Sequence, residues 1–149
     1  MIELLLARNI SVASVSTHAG KWEKTKFVGV ELSGKTLGIL GCGNIGSIVA
    51  DRAIGLKMKV VAYDPFLSPE RATEIGVDKV GLDTLFERAD FISLHTPLTD
   101  ATLGIIDRDA IEKMKDGVHI INCARGGLIV EEDLKLALEL GKVAGAALD

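Results

Sequence analysis

The chain has 149 residues, 48% apolar and 26% charged, with a net charge of −4. That length suits one domain able to bury about 68–70% of its unfolded surface. Its 17 basic residues form no stripe, which argues against nucleic acid and anionic membranes as partners, and no apolar run approaches the ~18 residues of a membrane span. Glu3 and Arg8 interrupt the apolar N-terminus and no basic leader precedes it, so the expected compartment is the cytoplasm.

Residues 2–18 read as one helix. Leu4, Leu5, Ala7, Ile10, Val12, Ala13 and Val15 cover too much of its circumference for a single apolar stripe, so it calls for cover on more than one side. Gly20 is its expected stop. Residues 20–34 follow as a connector with Trp22 and Phe27 as anchors, and His18 is read as a surface or capping residue.

The organising stretch comes next. An apolar strand ends at Leu40, and Gly41, Gly43 and Gly46 follow at G-x-G-x-x-G spacing before a helical pattern carried by Ile48, Val49, Ala53 and Leu56. Gly41 allows the tight turn, Gly43 lets backbone approach a pyrophosphate, and Gly46 lets helix lie close on strand. The helix start offers free N–H groups and the positive end of a dipole to an anion. A second strand, 59–63, leads to Asp64, 18 residues after Gly46, where an acid can bond an adenosine ribose. Pro65, Phe66, Leu67 and Ser68 follow without a cation for a ribose phosphate, which favours NAD over NADP.

Ser68 and Pro69 open a short helix that Gly76 ends, and a third strand is expected near 77–80. Leu82, Leu85 and Phe86 mark a helix before a fourth strand, 91–95, and Pro97 forces the chain out of the sheet. Asp107 caps a helix through Met114, Gly117 stops it, and 118–122 is a fifth strand leading into a second glycine-bearing loop, 123–127. A helix over 131–140 ends at Gly141, and 143–148 is a sixth strand. Alternating strands and helices with short connections predict an α/β, Rossmann-type, doubly wound parallel sheet with helices on both faces. Residues 1–34 are the N-terminal helix and connector, and 35–149 the dinucleotide-binding domain.

Ligands bind beyond the carboxyl ends of such strands. Arg125 is the only basic residue in the loops there; it could grip a carboxylate or pair with an acid elsewhere. His95 is the histidine placed at that edge, read as contacting cofactor or backbone, while His119 is read as structural. Cys42 and Cys123 fall at strand ends without metal spacing, and a buried, reduced thiol is expected for each. No metal site is expected.

Gly41-Cys42-Gly43-Asn44-Ile45-Gly46, Tyr63-Asp64-Pro65, His95-Thr96-Pro97-Leu98-Thr99, Asn122-Cys123-Ala124-Arg125-Gly126-Gly127 and Ala146-Ala147-Leu148-Asp149 resemble, in order and at family spacing, the D-isomer-specific 2-hydroxyacid dehydrogenases. The resemblance implies NAD as cofactor, with the Asn44 and Ile45 backbone on the pyrophosphate and Asp64 on the adenosine ribose. Thr96 and the backbone at Cys123 and Ala124 would line the cofactor, and Asp149 would contact the nicotinamide carboxamide. Arg125 matches the catalytic arginine that holds the substrate carboxylate. The family places its acid–base His and the Glu that orients it after the segment matching Asp149, and its substrate lobe outside the present residues. The expectation is therefore a cofactor domain that binds NAD without turnover of its own. Its partners would be a small-molecule substrate (a phosphorylated 2-hydroxy acid) in the whole protein and a second copy in a homodimer through this domain. The alternatives are the cofactor domain of a glyoxylate/hydroxypyruvate reductase or another D-2-hydroxyacid dehydrogenase, or a non-catalytic NAD-sensing or dimerisation module.

Overall fold

A computed structural model describes residues 2–149, with only the backbone described for Ile2, Glu3 and Leu5. Its centre is a six-stranded sheet in the order β3-β2-β1-β4-β5-β6, every pair parallel. The strands are β1 (Thr36–Leu40), β2 (Lys59–Tyr63), β3 (Asp78–Lys79), β4 (Phe91–Leu94), β5 (Val118–Asn122) and β6 (Val143–Leu148). Strand order reverses between β1 and β4, so the connections leaving their carboxyl ends diverge and open a crevice there.

Both faces are covered, and for that reason the strands read as apolar runs rather than as alternating patterns. Leu85 and Phe86 of α5 (Leu82–Arg88), Ala110 and Ile111 of α6 (Arg108–Lys113) and Leu134 and Ala137 of α7 (Glu131–Glu139) pack with Leu40, Ile92, Leu94 and Ile120 on one face. On the other, Ala7 of α1 (Ile2–Ala7), Ala50 and Ala53 of α3 (Asn44–Gly55) and Ala72 of α4 (Pro69–Ile75) pack with Leu37, Ile39, Val60 and Ile121. The expected Rossmann-type sheet is thus the observed one.

Local signals set most boundaries. The Ser68 side chain accepts the Arg71 N–H, Pro69 takes the first helical position, and Gly76 ends α4 at φ 82°. The Asp107 carboxylate accepts the Ala110 N–H at the start of α6. His119 lies half-buried with its ring stacked on Phe91, centroids 4.7 Å apart, and burial pushes its pKa down. His18 is exposed and its Nδ1 lies 2.9 Å from the Ser14 carbonyl.

The N-terminal segment departs from expectation. Instead of one helix over 2–18 there are two, α1 and α2 (Ile10–His18), broken at Asn9 in the left-handed region at φ 52°. Asparagine tolerates that conformation better than most residues, so it turns the chain where a helical pattern otherwise continues. Ala7 is buried while Ile10, Val12 and Val15 stay exposed, and the Leu5 side chain lies outside the described residues. Trp22 anchors nothing, being 83% exposed; Leu32 is the buried residue of the connector, and the Val30 N–H bonds the Ala7 carbonyl at 2.7 Å.

At the opposite, amino end of the strands, Asp90 ties β1 to β4. One carboxylate oxygen accepts the N–H of buried Thr36 at 2.8 Å and the other the Lys115 ammonium at 3.0 Å. Burial raises the pKa of Asp90, but the Thr36 and Lys115 hydrogen bonds and the charges of Lys115 and Lys35 outweigh it and hold the carboxyl below its ordinary value. A depressed carboxyl pKa stabilises the fold above the unfolded-state value of about 3.9, and that contribution disappears as pH falls through the folded value. Asp90→Ala, which leaves the Thr36 N–H without its acceptor, should cost about 1–3 kcal/mol in urea unfolding at pH 7. Asp90→Asn should cost less and flatten the acid limb of the stability–pH curve; an unchanged acid limb would count against the assignment.

Candidate functional site

The three glycines of the first turn separate into three physical roles. Gly41 sits at φ +88°, and a Cβ there would meet the His95 carbonyl carbon and oxygen at 2.8 Å. At Gly46 a Cβ would come within 2.1 Å of the Gly41 carbonyl oxygen, so the first turn of α3 lies directly against the strand exit. Around Gly43 a Cβ would meet nothing within 4 Å. That space is open, and α3 starts there with Gly43 as its N-cap and no side chain capping it. The N–H groups of Asn44, Ile45 and Gly46 head a twelve-residue helix with its dipole behind them, which is how backbone holds a pyrophosphate.

Beside this turn lies a cleft of about 480 Å³, lined among others by Gly41, Gly43, Tyr63, Asp64, His95, Thr96 and Thr102. Asp64 closes one side. Its Oδ2 accepts the Cys42 N–H at 2.9 Å and its Oδ1 the Phe66 N–H at 2.8 Å, which holds the carboxylate at the rim with lone pairs to spare. Phe66 is 96% exposed on the same rim. His95 is placed by the end of β4: its N–H bonds the Leu40 carbonyl at 2.7 Å, and its Nε2 lies 2.9 Å from the hydroxyl of buried Ser93.

The second glycine-bearing loop leaves β5 next door. Cys123, Arg125, Gly126 and Gly127 are exposed there, and Ala124 is half-buried. The Arg125 Nη1 donates to the Ala124 carbonyl at 2.7 Å, and among the described residues the guanidinium forms no ion pair. Of the two sequence alternatives for this arginine, pairing with an acid elsewhere is therefore not found among the described residues. Asp149 follows β6, its N–H bonded to the Asn122 carbonyl at 3.1 Å. The cleft lining thus gathers Gly41, Gly43, Asp64 and Thr96; Asn44, Ile45 and Gly46 open α3 beside it, and Cys123, Ala124, Arg125 and Asp149 follow the next strands along.

One cysteine expectation needs correction. Cys42 is buried, and burial and the Asp64 charge push its thiol pKa up, Arg71 opposing. Cys123 is exposed, because β5 ends at Asn122 and the loop turns outward there. Neither forms a disulfide.

Sequence reasoning missed two buried polar residues, Ser93 and Asn122, and a non-local connection. Gly104 N–H bonds the Gly127 carbonyl at 2.8 Å, Ile106 N–H the Leu128 carbonyl at 3.1 Å, and Val130 N–H the Ile106 carbonyl at 2.9 Å. The loop after β4 is thereby joined to the loop carrying Arg125 by a short parallel bridge, Ile106 to Ile129. The available signal for Asn122 was a polar residue closing an apolar strand; nothing local announces the bridge.

A parallel sheet with its crevice at the order reversal, an uncapped helix start over a glycine turn, and an acid at the end of β2 define a dinucleotide-binding domain. The sequence model described as D-isomer specific 2-hydroxyacid dehydrogenase, NAD binding domain, matches residues 1–149, and the chain belongs to that family. Its cofactor is NAD. The chain is 56% identical over 146 residues to a hydroxypyruvate reductase of Thermotoga maritima, covering 98% of this chain and 47% of that protein. It is 51% identical over 146 residues to a D-3-phosphoglycerate dehydrogenase of Archaeoglobus fulgidus, covering 98% and 28%. The apo-structure of D-lactate dehydrogenase from Escherichia coli superposes with a TM-score of 0.93 at 36% identity, over 98% of this chain and 46% of that one. The chain therefore spans less than half the length of these relatives.

Gly43→Ala and Gly46→Ala should part company. The first adds a methyl to open space, so it should leave the unfolding midpoint nearly unchanged and weaken NADH binding by about tenfold or more, since the methyl crowds the pyrophosphate position. The second should cost about 1–3 kcal/mol of stability by overpacking. Equal effects of the two on melting and on NADH titration would contradict the division of roles.

Proposed function

We propose that this chain is the NAD-binding domain of a D-3-phosphoglycerate dehydrogenase, which oxidises 3-phosphoglycerate to 3-phosphohydroxypyruvate at the entry to L-serine biosynthesis. The observation that carries the dehydrogenase part is Arg125, an exposed guanidinium that pairs with no acid among the described residues, on the loop beyond β5, the strand next to β4. Such a group can hold a substrate carboxylate at two points and polarise the adjoining carbonyl or hydroxyl carbon. Asp64 takes the adenosine ribose, the Asn44, Ile45 and Gly46 N–H groups take the pyrophosphate, and Thr96, the 123–124 backbone and Asp149 line the remainder. The bound nicotinamide supplies hydride transfer at C2 of the hydroxy acid. The acid–base His and its Glu partner come from the lobe that the family adds to this domain, so residues 1–149 alone bind cofactor without turnover.

The substrate is supported by relatives named D-3-phosphoglycerate dehydrogenase in an archaeon, a plant and Bacillus subtilis, each 51% identical to this chain. The 56% identity to a hydroxypyruvate reductase favours a second reading, with the unphosphorylated keto acid as substrate. The two substrates differ by the C3 phosphate, and among the described residues Arg125 is the only Lys or Arg in the loops leaving β1, β2, β4 and β5, which assigns phosphate recognition to the other lobe. Calorimetric titration should show NADH binding at least about tenfold tighter than NADPH, and Asp64→Ala should erase the preference. Neither 3-phosphoglycerate with NAD nor hydroxypyruvate with NADH should be turned over by these residues alone; measurable turnover would overturn the division of labour. In the whole protein, a preference for 3-phosphoglycerate decides for the first reading.

A cytoplasmic homodimer through this domain belongs to the same proposal. Ile10, Val12, Val15, Trp22, Val28 and Val30 are each exposed on the N-terminal segment, apolar surface that a second copy would cover. Sedimentation should give a dimer, and Trp22→Asp should give a monomer. Because Trp22 is the only tryptophan, its emission should shift to the red on dilution as the dimer separates.

A further inference from the structure

We propose that Asn122 is the positioning residue for Arg125. Its buried carboxamide pins the loop backbone on both sides of the 124–125 peptide, so that only the guanidinium is left to turn toward a carboxylate. The proposal deepens, and rests on, the assignment of Arg125 as the carboxylate-binding group.

Asn122 is the last residue of β5 and only 6% exposed, while its neighbours Cys123 and Arg125 are exposed. Its Oδ1 accepts the Ala124 N–H at 3.1 Å, and its Nδ2 donates to the Arg125 carbonyl at 2.9 Å. Its own carbonyl accepts the Asp149 N–H, so one residue joins the ends of β5 and β6 to the loop between β5 and α7. The far end of the loop is held by the Gly104 N–H on the Gly127 carbonyl. Between those pins lies Gly126, around which a Cβ would meet nothing within 4 Å. The Arg125 side chain rests on the Ala124 carbonyl by a single hydrogen bond to a neutral acceptor, which a carboxylate offering two bonds and an opposite charge outcompetes.

The position requires one acceptor and one donor from the same short side chain. Asparagine supplies both, whereas an ionised aspartate supplies acceptors alone and would turn lone pairs toward the Arg125 carbonyl. A protonated carboxyl regains the donor, and burial raises the pH at which it protonates.

Asn122→Asp therefore gives a pH-reversible test. The probe is oxalate, added to the NADH-loaded chain while the Arg125 Nε–H and backbone resonances are followed by NMR at about pH 8 and about pH 5.5. Oxalate affinity of the unmodified chain should be nearly the same at both. In Asn122→Asp it should fall by about tenfold at the higher pH, where the buried carboxylate also lowers the melting midpoint, and both should recover at the lower, oxalate affinity to within about threefold of the unmodified chain, with NADH affinity little changed at either. Wild-type oxalate affinity at both pH values, or a loss at both that tracks a lowered melting midpoint, would overturn the positioning role. An Arg125 resonance that ignores oxalate in the unmodified chain, or undiminished oxalate affinity in Arg125→Ala, would remove the carboxylate assignment itself and this proposal with it. Should Asn122→Asp fail to fold, hydrogen exchange in the unmodified chain decides. The Ala124 amide should be protected about tenfold or more over Gly126, and equal exchange would refute the pinning.

Discussion

The contact between α3 and the exit of β1 governs the rest of the molecule. With Gly46 in place, helix backbone lies where any side chain would strike the Gly41 carbonyl oxygen. That approach aims the start of α3 at the crevice between β1 and β4 and fixes the turn through Gly43. It also holds the Cys42 N–H where Asp64 can accept it. One carboxylate thereby links the glycine turn to the end of β2, so the phosphate and ribose ends of the site are set by a single strand–helix junction. A larger residue at position 46 would displace all of them together.

Two buried polar side chains do the corresponding work one and two strands over. Ser93 supports His95 at the end of β4, and Asn122 supports the loop at the end of β5. Among the described residues no buried side-chain nitrogen or oxygen lacks a partner, so these polar atoms cost the core little while fixing loop geometry. The carboxyl edge of the sheet is in this sense a row of braced loops, and the amino edge, with Asp90 on Thr36 and Lys115, is a row of tied strand starts.

Legibility in the sequence followed the range of the interaction that decides each feature. The ends of β2, β5 and β6 and the whole of α4 could be read because an apolar run, Ser68, Pro69 and Gly76 are local signals. The Gly41, Gly43, Gly46 and Asp64 set could be read because its spacing encodes a strand–turn–helix–strand unit. Asn9 hid the break between α1 and α2, since its left-handed backbone is a choice made by the turn toward the sheet rather than by the helical pattern. Trp22 misled because size and hydrophobicity predict burial only when something lies across the chain to receive them. The joining of residues 104–106 to 127–130 depends on loops far apart in sequence, and no single segment carries its signature. Asn122 reaches only two and three residues along the chain, but a polar residue closing an apolar strand does not by itself say which backbone groups it will bond.

That joining limits how the domain can vary. Loops are ordinarily where a fold accepts insertions and deletions. Here the loop after β4 and the loop after β5 share a register, with Ile106 paired to Ile129 and both side chains buried. Adding one residue between 99 and 104 would slide that pairing by a step and turn Ile106 out of the core. Length changes in this half of the molecule would have to arise in both loops at once or not at all, whereas the connector, exposed over most of residues 20–30, meets the N-terminal segment through single bonds such as Ser16 to Glu23 and Val30 to Ala7 rather than through a paired register. Divergence in this fold should therefore collect on the N-terminal side of the sheet, away from the crevice.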